Sequence, residues 1–376
     1  MRRRQFTLGL GANFLTLGGC ATSPFSTVDR LMTQAVHDGK MPGAILVIGH
    51  HNTVVHRSII GHRALVPERE KLTLDTVFDM ASLTKPLVTA LCLMQLVEAG
   101  RLSLDTKVSA LLPDFAANGK SDISLRLLLT HYSGLPPDLP LATPWQGRGE
   151  ALRLACVSPL MARPGSTFIY SDINFIVLGR IVEIVSGNSL QQQARQGIFA
   201  PLSMNHSDFL PRPSEQKIIA PTQYQDDGTM LRGVVHDPTA RRMGGIAGHA
   251  GLFSREDDLV RYITALIARR SGQKSAFPLS RAGVLLMTTP QQPKDRRELR
   301  GLGWDIDTHY SSLRGEGFPL GSFGHTGFTG PSLWIAPESG SFVLILTNRV
   351  HPRGGVSLVA LRRSVSTEVA HVLSTL

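Results

Sequence analysis

The sequence predicts an α/β protein of the α+β type. An antiparallel sheet is built from the N- and C-terminal segments and flanked by helices, with a mostly helical subdomain inserted between them. Three observations carry this prediction. Strand-like runs lie at both ends of the chain: Ala44 to Ile48 and Thr53 to Ile60 early, then Gly301 to Ile306, Ser332 to Pro337 and Phe342 to Thr347 late. Between them, apolar residues recur at helical spacing, most clearly Ile173, Ile176, Val177, Ile181, Ile184 and Val185. The 376 residues are 42% hydrophobic and 18% charged, enough for a substantial core.

Taken in order, the first twenty residues read as a targeting segment. Arg2-Arg3-Arg4 precede a short apolar stretch, Phe6 to Leu17, and then Leu17-Gly18-Gly19-Cys20. That tetrad resembles a bacterial lipobox, which implies lipid on Cys20 and a membrane anchor. Arg3-Arg4-Gln5-Phe6 also resembles a twin-arginine export motif, with Arg2 where Ser or Thr is usual. Ala21 after Cys20 favours the outer membrane by the sorting rule of Gram-negative lipoproteins. An ordinary signal peptide is the alternative. The expectation is a lipoprotein signal over 1–20, a single domain over 21–376, and an exported, periplasm-facing protein.

Thr27 to Gly39 is an amphipathic helix closed by a glycine. Ala44 to Ile48 is continuously apolar, which marks a central strand. His50-His51-Asn52 makes a turn into the second strand. Leu87 to Val97 is apolar almost all round, so its helix is buried, with Pro86 in the first turn. Leu102 to Pro113 and Ile123 to His131 form short helices, and Leu135 to Gly149 a Pro- and Gly-rich loop of the kind that borders clefts. Thr167 to Ile169 is a short strand and Asp172 to Gly187 a helix. Gln191 to Pro238 is polar and irregular. Gly244 to Gly251 is glycine-dense but lacks the P-loop lysine and the dinucleotide spacing, so it packs closely and cradles no phosphate. Ser254-Arg255-Glu256-Asp257 resembles a capping box and opens a helix. Leu279 to Met287 and Val356 to Leu373 are the last two helices.

The formal charge is +10, yet the basic residues are scattered and never interleave with aromatics. Nucleic acid is therefore excluded as a partner, and an anionic lipid or acidic polymer fits better. No run after the leader is long and apolar enough to span a bilayer. Of three cysteines, Cys20 goes to lipid, and Cys92 and Cys156 either pair or remain two buried thiols, the latter preferred. The thirteen histidines show no zinc spacing, so neither metal nor cofactor is expected.

Chemistry is concentrated in three places. Ser82 and Lys85 stand one turn apart at the mouth of the buried helix, so they share a face. A desolvated lysine there has a lowered pKa and can take a hydroxyl proton. The same spacing at Ser214/Lys217 and Ser271/Lys274 lies in polar loops and carries no such context. Tyr170-Ser171-Asp172 sits at a strand–helix corner. Gly324-His325-Thr326-Gly327-Phe328-Thr329-Gly330 precedes an apolar strand. Taken singly, Ser82 is a helix cap, Tyr170 a core tyrosine and His325 a turn residue.

Together and in this order, the three stretches resemble the serine β-lactamase and penicillin-binding superfamily, especially its class C and esterase branch. Leu128 to Leu135 and Gly301-Leu302-Gly303-Trp304 are also similar to that family. The resemblance implies a β-lactamase/transpeptidase-like fold and a serine hydrolase. Ser82 would be acylated, with Lys85 and Tyr170 sharing its proton. The N–H groups of Ser82 and Phe328 would form the oxyanion hole. Asp172, His325, Thr326 and Gly327 would meet substrate. His236-Asp237-Pro238 and Gly248 to Phe253 resemble a branch that includes peptidoglycan amidases, which makes His249 a further candidate for substrate contact. Asp172 stands where β-lactamases carry Asn, and His325 where they carry Lys. Both departures favour ester or amide substrates over penicillins. The expected substrate is a small molecule or a peptidoglycan fragment, as for a muropeptide amidase or D-Ala peptidase. The alternatives are a class C-like β-lactamase and a non-catalytic cell-wall- or β-lactam-binding lipoprotein.

Overall fold

The computed structural model describes residues 23–310 and 313–376; the targeting segment and Cys20 lie outside the described residues. Strand β1 (Gly43–His50) turns through His51 and Asn52 into β2 (Thr53–Ala64). Both turn residues have positive φ, 48° and 59°, as a two-residue hairpin loop matched to strand twist requires. Next come β3 (Glu70–Lys71) and β4 (Phe78–Asp79), which pairs with β5 (Phe253–Ser254) in a small second sheet. The late strands are β6 (Leu299–Arg300), β7 (Asp305–Asp307), β8 (Phe323–Thr326), β9 (Ser332–Ala336) and β10 (Ser341–Thr347). The main sheet runs β3-β2-β1-β10-β9-β8-β7-β6, with every named pair antiparallel. The two chain ends meet at its centre, where Ala44 faces Thr347 across β1 and β10.

β1 is buried on both faces, which is why its sequence does not alternate. Ala44, Leu46 and Ile48 pack among the residues of the two terminal helices, α1 (Ser26–His37) and the C-terminal Val359–Leu373. Ile45 and Val47 point the other way, into the larger core shared with the middle of the chain. There the helix after Ser82 is not α-helical from its start. Ala81–Leu83 is a 3₁₀ turn and Lys85–Ala90 a π-helical segment, and only Leu91–Glu98 is α-helix, labelled α2. Pro86 removes one N–H from this stretch, and Thr89 Oγ1 donates to Gly248 O at 2.7 Å. Such π segments are common at functional sites. The helix Asp172–Ser186, labelled α3, packs against this segment and ends at Gly187 in the left-handed region.

Several expectations need correction. Residues 167–169 are irregular rather than a strand. The strand expected over 301–306 shrinks to β7, because Gly303 (φ +83°) turns the chain against the nucleophile helix. A Cβ on Gly303 would lie 2.8 Å from the Ala90 side chain. The stretch Gly324 to Gly330 does precede an apolar strand, β9, and its first three residues lie within β8. Ser254 does not cap the helix Glu256–Arg270; Arg255 holds the cap position, and the Ser254 hydroxyl pairs with that of Ser207 at 2.8 Å. The glycine-dense stretch does pack closely: a Cβ on Gly248 would lie 2.0 Å from Phe175 O. Cys92 and Cys156 are buried and unpaired.

Candidate active site

The site starts from a strained residue. Ala81, just before Ser82, has φ +46°, a conformation that costs an L side chain energy and must be held in place. Asp79 does the holding. Its Oδ1 accepts from Ala81 N at 2.9 Å and its Oδ2 from His236 N at 2.7 Å. Thr84 Oγ1 donates to Ala81 O at 2.6 Å. Burial lifts the Asp79 carboxyl to about 6, against the pull of those two N–H groups. The result presents Ser82 to a cleft of about 860 Å³ that Tyr170, Asp172, Thr326, Gly327 and Phe328 also line.

Lys85 is fully buried, and its Nζ donates to Ser82 Oγ at 2.9 Å and to His249 O at 3.0 Å. The same nitrogen lies 2.6 Å from Asp172 Oδ1. This overturns the expected lowering of its pKa. Burial does pull the ammonium down, but the charge of Asp172 outweighs it and holds Lys85 above its usual range. In the resting state the residue beside Ser82 is therefore a cation. An Asn at position 172 would not produce this effect.

Tyr170 is packed as the middle ring of a stack. The His131 ring lies 4.4 Å from it and that of Tyr310 4.7 Å, both nearly parallel. Lys85 Nζ stands 5.0 Å from its centroid. The hydroxyl lies beside Ser82 and Lys85 without an aligned hydrogen bond to either. Burial pushes its pKa up, and the pull of Lys85 does not cancel that. His131 Nδ1 accepts from Ser171 N at 3.0 Å, which fixes the corner that aims Tyr170. Burial, with Arg300 behind it, holds His131 neutral, well below its ordinary range.

The β8 end closes the other side. Gly327 must be glycine here, because a Cβ would lie 2.6 Å from Met80 O and 3.3 Å from Ala81 Cβ. Thr329 Oγ1 donates to Asp79 O at 2.7 Å, tying this turn to the nucleophile strand. Phe328 therefore follows directly on the closest approach to Ser82, and the residue is 62% exposed.

Two expected substrate contacts are placed differently. His325 is buried behind the cleft wall, its ring 6.0 Å from that of Tyr170, and burial holds it neutral and far below its usual pKa. His249 is also fully buried; its backbone carbonyl receives Lys85, and its Nε2 meets Asp237 Oδ1 at 2.9 Å. Side chains pointing into the core explain both corrections. Asp172, Asp237 and His249 place donor atoms within 4.8 Å of one another, a grouping that sequence spacing cannot assemble. A cation there would compete with the Lys85 ammonium for Asp172. Asp79, His131, Asp237 and Arg300 also belong to this site. The sequence marks the segments around Asp79, His131 and Asp237, though not these side chains, and gives no signal for Arg300.

With this geometry in hand, comparison with known proteins is informative. A profile of the Beta-lactamase family matches residues 28–366. A protein of Escherichia coli (strain K12) named "Putative D-alanyl-D-alanine carboxypeptidase" is 30% identical over 362 residues, covering 86% of this chain and 82% of that one. The N-acetylmuramyl-L-alanine amidase of Bacillus subtilis (strain 168) is 29% identical over 378 residues, covering 88% and 83%. Among solved structures, EstCE1, a hydrolase with promiscuous acyltransferase activity, superposes with a TM-score of 0.73 at 21% identity, covering 93% of this chain and 98% of the other. That last likeness speaks to the fold alone. The profile match over most of the chain, on the same antiparallel sheet with flanking helices, establishes that this chain belongs to the Beta-lactamase family, within the serine β-lactamase and penicillin-binding superfamily.

Proposed function

We propose that this protein is a serine hydrolase that passes through an acyl-enzyme on Ser82, acting on an ester or amide drawn from the cell wall. The 2.9 Å contact between Lys85 Nζ and Ser82 Oγ, at the floor of an open cleft, carries the reading. The family match and the names of the two relatives support the substrate class.

Because Lys85 rests as an ammonium against Asp172, acylation starts with a proton shift. Substrate dries the cleft, and in a dry site the neutral Lys–Asp pair gains on the ion pair. Lys85 gives one proton to Asp172 and becomes an amine. It then takes the Ser82 proton as Oγ bonds to the substrate carbonyl carbon. The N–H groups of Ser82 and Phe328 receive the oxyanion. Tyr170 hands its proton to the departing amine or alkoxide as that bond breaks, and Lys85 reprotonates Tyr170. Water repeats the sequence on the acyl-enzyme. Export as a lipoprotein anchored through Cys20 belongs to the same proposal.

A fluorophosphonate probe tests it. Intact mass should show one adduct on the wild type and none on Ser82→Ala. An unmodified wild type, or equal labelling of both, overturns the proposal.

A further inference from the structure

Arg300 is fully buried, and its charge is only partly met. Nη2 donates to Gly303 O at 3.4 Å, and Nη1 lies 3.8 Å from Asp305 Oδ1. Nε and Nη1 have no hydrogen-bond partner among the described residues. Asp305 is itself shared, since Thr308 Oγ1 donates to its Oδ2 at 3.1 Å. Burying a guanidinium on such terms costs stability, and an apolar side chain of similar volume would serve the core at least as well. The charge calls for a use.

Its place supplies one. Arg300 faces Asp305 across β6 and β7, and Asp305 faces Gly324 across β7 and β8. With strands about 4.8 Å apart, this row ends beside His325, two strands away. The guanidinium lies 5.8 Å from the centroid of the Phe168 ring. Phe168 in turn meets His131 and Tyr310, at centroid distances of 6.2 and 6.5 Å, and those are the two rings that sandwich Tyr170. Arg300 thus approaches Tyr170 from the sheet, whereas Lys85 approaches it from the nucleophile helix.

The polar groups around Tyr170 can be named. Ser82, Lys85 and Asp172 meet it at the cleft, His131 and Tyr310 stack on its ring, and the His325 ring lies 6.0 Å away. Both imidazoles are held neutral, by burial first and then by Arg300. Position 325 carries a lysine in β-lactamases, so this chain has no cation there, and Lys85 is shared with Asp172. Burial pulls the Arg300 guanidinium down, while Asp305 and then Tyr170 pull it up.

We infer that Arg300 is a positioning residue for Tyr170, holding from inside the core the phenolate that Tyr170 becomes when its proton passes to the leaving group. Arg300 lines no part of the cleft and touches no substrate. In the step concerned the Tyr170 O–H bond breaks and an N–H or O–H bond forms on the departing group. The negative charge left on Tyr170 then lies near Lys85 and Arg300 until Lys85 returns a proton. This deepens the hydrolase reading above and rests on it.

Leaving groups test it. p-Nitrophenolate departs without a proton, whereas the alkoxide of trifluoroethyl butyrate needs one. Arg300→Met/Asp305→Asn removes the charge without stranding a buried carboxylate. In it kcat/KM should fall about tenfold further for the trifluoroethyl ester than for p-nitrophenyl butyrate. Arg300→Lys should restore part of that difference. Tyr170→Phe should show the same split, and adding the two substitutions to it should widen the split no further. Asp305→Asn alone leaves Arg300 less neutralised and should move the ratio toward the trifluoroethyl ester, which keeps the test open if the double variant fails to fold. Equal losses on the two esters, a split that widens on Tyr170→Phe, a ratio unmoved or reversed by Asp305→Asn, or a wild type that turns over the nitrophenyl ester alone each overturn the inference. Fluorophosphonate labelling of Ser82 expels fluoride, which needs no proton, so the hydrolase reading is judged by a separate result.

Discussion

The two walls of the cleft handle buried charge in opposite ways. On the Lys85 wall each buried cation has an anion: Lys85 has Asp172, and His249 has Asp237. On the Phe328 wall Arg349 and Arg362 are held by backbone carbonyls, with the Phe328 ring against Arg349, and among the described residues neither meets a carboxylate. A wall that neutralises itself can move protons internally at little electrostatic cost. A wall held by carbonyls keeps a net charge. The proposed chemistry belongs to the first wall.

The largest expected effect breaks the chemical wall. Ser82→Ala should lower kcat/KM by at least about 10,000-fold in an ester assay, with an unchanged melting temperature. Next, Asp172→Asn tests whether the ion pair is the proton store. With Asp172 present, the pair needs only one proton between two groups, so the rate stays flat through neutral pH. Without it, Lys85 must lose its proton to bulk solvent, and the rising limb of kcat/KM against pH should move upward by about one unit or more. An unmoved limb would assign the base elsewhere.

Asp79→Ala leaves the N–H groups of Ala81 and His236 without acceptors, at a cost of about 1–3 kcal/mol each. Chemical denaturation should show that loss, and activity should fall with it, since the strained Ala81 is released. The smallest effect concerns the His249–Asp237 pair. Burial disfavours the His249 cation, but Asp237 outweighs it and raises its pKa above the ordinary 6.5. Such a group stabilises the fold fully below its unfolded pKa and loses that contribution as pH rises through the folded value. Asp237, held low, stabilises above its unfolded value near 3.8. The stability gap between wild type and His249→Gln should therefore be widest between about pH 4 and 6.5 and shrink on going alkaline. A gap that widens with pH would contradict the pairing.

Much of the scaffold was legible because each element carried its own local signal. The all-apolar run of β1 announced a strand buried on both faces, and the spacing of Ile173 to Val185 announced α3. Gly187 marked where that helix stops. Ser82, Lys85 and Tyr170 could be picked out because helix position and motif order both pointed to them. What stayed hidden depends on distance. Nothing local tells that Asp172 reaches Lys85, 87 residues earlier, or that Asp79 holds His236. Direction was equally hidden: His249 and His325 sit in the right segments, but the core takes their side chains. The π-helical start of the nucleophile helix also follows from tertiary contacts such as Thr89 to Gly248, which no periodicity records.

The central claim is that Ser82 carries the acyl group between two half-reactions. It is tested most directly by mixing the protein with excess p-nitrophenyl butyrate, quenching in acid within the first turnovers and mapping peptides by mass. The account predicts a burst of about one p-nitrophenolate per chain and a butyryl group on the peptide containing Ser82. Steady turnover with no burst and no acylated peptide, or an acyl group on another residue, would contradict it.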